Sequence, residues 1–156
     1  MGVKLGQICG SLAEVVYAAD WKSVELGAIP RGTTIKKELI MKTKQKCYKI
    51  LDEFKTLEKN WNSYDANPPS LASIEKGKEI CDLLIDNNIT DFGIFPGNNR
   101  TSPSGVSIQL EINEKFIDID LYDSSVKIFT SKNENYSLVE FSYNTNYKDK
   151  ILESLK

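Results

Sequence analysis

The sequence predicts an α+β fold: an antiparallel four- to five-stranded meander with two main helices packed on one face, plus a small N-terminal helical appendage. Two observations carry this. Four segments, about 106–112, 115–122, 125–131 and 136–143, alternate apolar and polar residues. Their turns pair Leu110 with Ile117, Ile119 with Ile128 and Val126 with Phe141, so that one register serves three hairpins. Upstream, two segments carry apolar stripes at helical spacing.

The elements follow in order. Residues 1–34 form the appendage. Ser11-Leu12-Ala13-Glu14 fits a capping box, Leu12, Val15, Val16 and Ala19 recur at helical spacing, and Gly27 and Pro30 close the region. Residues 35–156 form one α+β domain. Its first helix spans about 35–59, with Ile40, Cys47, Ile50, Leu51, Phe54 and Leu57 on one stripe and lysines on the rest, read as a solvated face. Pro68 and Pro69 interrupt the helical pattern, and Ser70 caps a second helix over about 71–87. The inner stripe of that helix is Ile74, Gly77, Cys81, Leu84 and Ile85. Gly77 weakens a helix and so points to a close approach of another backbone. Residues 91–95 form a short strand, and 96–105 a polar loop. The four alternating segments place Val106, Ile108, Leu110, Ile117, Ile119, Leu121, Val126, Ile128, Val139 and Phe141 on the inner face. A short helix from about Lys148 ends the chain, with Ile151, Leu152 and Leu155 apolar.

Composition excludes whole classes of chemistry. The chain has 156 residues and no histidine. That removes His-based triads, His/Cys zinc sites and His-based metal triads. Twenty basic residues against 22 acidic ones give a net charge of −2, and only Arg31 and Arg100 are arginine. No strong nucleic-acid or anionic-membrane signal follows from such a balance. The cysteines, Cys9, Cys47 and Cys81, lack CxxC spacing and read as reduced thiols of a cytoplasmic protein. Apolar runs near the N-terminus are too short to span a bilayer. The nucleophile elbow, the phosphate-binding loop and the dinucleotide fingerprint are absent. No cofactor is expected.

Three constellations remain as candidates. Glu111, Asp118 and Asp120 share the outer sheet face and offer oxygen ligands for a divalent ion. Their registers argue for structure instead, because Asp120 faces Lys127 and Lys127 faces Glu140, an opposite-charge ladder. Phe116, Tyr122, Phe129 and Leu138 project from the same face and read first as scattered exposed residues, and second as a contact surface for a protein or for a third layer such as the N-terminal helix. Trp61, Tyr64 and Asp65 occupy the inter-helix loop. The two aromatics read first as a plug at the end of the core, and second as a ligand site shared with Arg100 of the 96–105 loop.

Asn60-Trp61-Asn62-Ser63-Tyr64-Asp65-Ala66-Asn67-Pro68-Pro69-Ser70 resembles a motif of small, uncharacterised bacterial proteins, Gly-Trp-Asp-Gly-Tyr-Gly-Ala-x-Pro-x-Ser. Pro103-Ser104-Gly105-Val106-Ser107-Ile108-Gln109-Leu110-Glu111 is similar to their second element, Pro-x-x-Gly-Gly-Ile-x-Leu-Glu. Asn60, Asn62, Ser63 and Asp65 depart from the first motif. The resemblance implies a helix–loop–helix leading into a sheet, and no activity.

The functional expectation is a non-enzymatic protein-binding module, in the class of bacterial or mobile-element accessory, antitoxin, immunity or anti-defence factors. Its alternatives are a small-ligand-binding or sensing domain on the Trp61 loop and a metal-dependent enzyme on the outer carboxylates. The expected partner is a protein, with homodimerisation through a sheet edge, 106–112 or 136–143, as a further option unless the 91–95 strand covers one of them.

Overall fold

A computed structural model describes residues 33–97, 104–144 and 146–156. The N-terminal appendage therefore lies outside the described residues, except that Thr33 and Thr34 belong to the first helix. That helix, α1, runs Thr33–Glu53 and continues as a 3-10 turn over Phe54–Thr56. It stops short of the expected residue 59. Leu57 is extended, with its N–H on the Phe54 carbonyl, and Asn60 takes a left-handed φ of 68°. Cys47, Ile50, Leu51 and Phe54 are buried, and Ile40 and Leu57 pack at the margin.

The second helix, α2, spans Leu71–Asp86. Ser70 caps it as expected, its hydroxyl accepting from the Ser73 N–H at 3.1 Å. Ile80 joins the inner stripe as a further buried residue. At Gly77 a Cβ would sit 2.9 Å from Leu51 Cδ2 and 3.4 Å from Val106 Cγ1. The glycine thus lets α2 lie close to both α1 and the sheet.

The sheet has five antiparallel strands in sequential order: β1 Phe92–Pro96, β2 Val106–Ile112, β3 Lys115–Leu121, β4 Ser125–Lys132 and β5 Asn135–Ser142. The expected registers are present, including Leu110 opposite Ile117, Ile119 opposite Ile128 and Val126 opposite Phe141. The last hairpin is tighter than the expected 132–135 loop. Lys132 pairs with Asn135, and only Asn133 and Glu134 turn, both with positive φ. This is a two-residue turn whose twist matches the strands.

The inner face buries Val106, Ile108, Leu110, Ile117, Ile119, Leu121, Val126 and Ile128 against the helices. Val139 does not join them. It is 50% exposed, and Phe141 is half-buried. The reason is coverage: α1 lies on β1, α2 on β2 and β3, and the C-terminal helix α3 (Tyr147–Ser154) on β4. The β5 edge is thus the least covered strand, whereas 106–112 is not the edge expected of it, because β1 pairs along it. α3 buries Tyr147, Ile151 and Leu155 and is tied to α2, because the Tyr147 hydroxyl donates to Glu79. Among the described residues no helix is long and apolar enough to cross a membrane.

Candidate functional site

The register sorts the outer face into three rows across the sheet. Ser107, Asp120, Lys127 and Glu140 make the first, and Gln109, Asp118, Phe129 and Leu138 the second. Glu111, Phe116, Ser131 and Tyr136 make the third. The β2 members of this face are all polar, whereas Phe116 of β3, Phe129 of β4 and Tyr136 and Leu138 of β5 lie together, with Lys127 and Glu140 beside them.

At the polar end, the Ser107 hydroxyl donates to Asp118 Oδ1 at 2.6 Å, and Gln109 Nε2 donates to Asp118 Oδ2 at 3.2 Å. Burial raises the Asp120 carboxyl to about 6, and the charge of Asp118 adds to this, while Ser107 and Lys127 oppose it. The expected charge ladder is therefore incomplete. Lys127 pairs with Glu140 at 3.8 Å and stands 5.3 Å from the Tyr122 ring centre, but makes no comparably close ion pair with Asp120. Glu111 is exposed and lies opposite Phe116. Among the described residues no group of three or more His, Cys, Asp or Glu side chains is arranged to hold a metal ion.

The apolar end is continuous. Phe116 and Phe129 meet edge to face with ring centres 6.5 Å apart. Phe129 stacks on Tyr136 at 6.0 Å and lies opposite Leu138. Phe116 is 38% exposed, Tyr136 70% and Leu138 67%. Tyr136 was missed by sequence reasoning, although it alternates with Leu138 on the same strand. Tyr122 stands apart from this patch. It is half-buried, its hydroxyl pKa is raised chiefly by burial, and its carbonyl accepts from the Tyr143 hydroxyl at 2.8 Å.

The inter-helix loop is held by its asparagines. Asn60 Oδ1 accepts from the Asp65 N–H at 2.8 Å, and Asn62 Oδ1 from the Tyr64 and Ala66 N–H groups at 3.0 and 3.3 Å. These bonds hold Asn60, Ser63 and Asp65 at positive φ. Trp61 is half-buried, with its indole N–H on the Asn67 carbonyl at 3.3 Å. Tyr64 is not the expected core plug, for it is 62% exposed. The Asp65 carboxylate lies 3.6 Å from Lys59. Arg100 lies outside the described residues. The loop does meet the start of β2: Pro69 bridges to Ser104, with Ser70 N–H to Ser104 O at 3.1 Å and Ser104 N–H to Pro68 O at 3.2 Å. The two motif elements singled out in the sequence are thus joined in space.

Cys47 and Cys81 are buried and not joined by a disulfide, and burial together with the adjacent Cys47 pushes the Cys81 thiol well up. Both are placed for packing rather than nucleophilic work. Comparison with protein-family models, curated proteins and solved structures finds no match to this chain.

Proposed function

We propose that this chain is a non-enzymatic protein-binding module whose contact surface is the β4–β5 side of the outer sheet face. One observation carries the reading: Phe116, Phe129, Tyr136 and Leu138 form a contiguous, partly stacked apolar patch in which Phe129 is half-buried and the other three are exposed among the described residues. Such a patch, bordered by Lys127 and Glu140, has the composition of a protein interface, an aromatic centre with a charged rim. The polar end supports the same reading. Asp118 is bonded by Ser107 and Gln109, which makes it a fixed structural acceptor rather than a free base.

The test is affinity capture from the source cells with the immobilised full-length chain, beside the Phe116→Ser/Phe129→Ser variant. A protein retained by the native chain and lost on the variant is the expected result. The same set of proteins on both would overturn the assignment of this face. Circular dichroism confirms that the variant is folded.

A further inference from the structure

We infer that β5 is a self-association edge, through which two copies of the chain pair antiparallel about Leu138. This rests on the reading above, that the β4–β5 side of the sheet is made for protein contact, and it names a second copy as one occupant.

The turn sets which main-chain groups are free. Lys132 and Asn135 close a two-residue hairpin, so they form a mutually hydrogen-bonded pair, and alternate residues along β5 bond to β4. The Tyr143 N–H to Ser124 O contact, on the same alternation, agrees. The N–H and C=O groups of Tyr136, Leu138, Glu140 and Ser142 therefore point away from β4, along an edge with no strand partner among the described residues. The opposite edge is poorer. Strand β1 has five residues and ends in Pro96, which has no N–H. β5 has eight residues, no proline and no lysine, and its side chains are exposed on both faces. Shortness, proline and lysine are devices by which edges are normally blunted, and β5 has none of them, Glu140 being its one charge.

Charge then selects the register. Two copies related by a twofold axis must pair residues of the same face. Centring on Glu140 sets the two carboxylates directly opposite each other. Centring on Val139 brings them to diagonal positions, about 7–8 Å apart. Centring on Ser137 sets Glu134 against Glu140. Centring on Leu138 avoids all three: Leu138 meets Leu138 and each Glu140 meets Tyr136, with the two carboxylates roughly 13 Å apart along the strand. The pairing makes two main-chain hydrogen bonds at the centre and two at each flanking pair. It also joins the two Phe129–Leu138 rows into one apolar stripe across a continuous sheet. One strand per copy falls short of the roughly 1,200 Å² that stable interfaces bury, so the dimer is a weak one.

The experiment is sedimentation equilibrium of the full-length chain up to about 500 μM, with Leu138→Lys and Leu138→Glu, alone and mixed. Leu138 is two-thirds exposed, and unchanged circular dichroism is expected of both variants. The inference expects a concentration-dependent dimer of the native chain, monomers for each variant alone, and recovery of the dimer in the equimolar mixture. A native chain that stays monomeric overturns it. So does a dimer that survives both substitutions, since another surface then holds it. A dimer kept by Leu138→Lys and lost by Leu138→Glu overturns the register, because it places Leu138 against Glu140. A monomer that still captures a protein through Phe116 and Phe129 removes the self-association and leaves the proposed function standing.

Discussion

Asp120 is a carboxyl whose environment raises its proton affinity. Its carboxyl is raised to about 6, first by burial and then by the charge of Asp118. A group raised in the fold binds its proton more tightly there than in the unfolded chain, so its ionisation destabilises the fold above pH 6 and that cost is relieved between about pH 6 and 4. Asp120→Asn is expected to raise stability at pH 7 by about 1 kcal/mol, allowing for solvent screening of a half-exposed group, and to change it little at pH 4. Urea unfolding of both proteins at the two pH values checks the difference. Glu79 works the opposite way. Burial raises its carboxyl, but hydrogen bonds from Tyr147 and Lys76 outweigh this and hold it low, so its contribution is lost only as acid protonates it. Gly105 is a steric case. A Cβ there would lie 2.2 Å from the Leu121 carbonyl oxygen, a main-chain atom that cannot rotate away. Gly105→Ala is expected to cost about 3 kcal/mol in denaturant unfolding.

Helix α1 is fastened to α2 by polar contacts at its flank as well as by its apolar stripe. The Tyr48 hydroxyl donates to Asp82 Oδ2 at 2.5 Å, a bond that raises its own pKa to about 12, and Lys44 reaches Asp86 at 2.8 Å. The other oxygen, Asp82 Oδ1, is buried with no hydrogen bond, and Lys44 stands 3.8 Å away. Tyr48→Phe therefore leaves the carboxylate without its one hydroxyl donor, and a loss of about 1–2 kcal/mol is expected, measured by thermal unfolding. None of this was legible in the sequence, because residues 34 positions apart meet only once the helices pack. The strand registers were legible for the opposite reason. Neighbouring hairpins constrain one another, and a slip of one residue would have turned Ile117, Ile119 and Ile128 outward together. Burial at the sheet margin was not, since alternation places Val139 on the inner face but cannot say that no helix reaches it. The inter-helix loop shows the same limit. Prolines and the Ser70 cap announced its ends, whereas the asparagine bonds that turn Tyr64 outward depend on the loop's closed conformation.

At the scale of the molecule, the two sheet faces have been put to different uses. The inner face is filled by α1, α2 and α3, and the large buried side chains among the described residues gather there. The outer face divides into an internally bonded polar end and an open aromatic end, and the protein-binding account depends on that end being open in the whole protein. Oxidative footprinting of the isolated full-length chain, followed by mass spectrometry, measures this directly. The account predicts rapid labelling of Phe116 and Tyr136 and intermediate labelling of the half-buried Phe129, while Phe54 and Phe92, which are 1% and 3% exposed, stay protected. Protection of Phe116 and Phe129 to the level of Phe54 in the monomeric protein would contradict it, for the patch would then be covered by the chain's own residues and would be core.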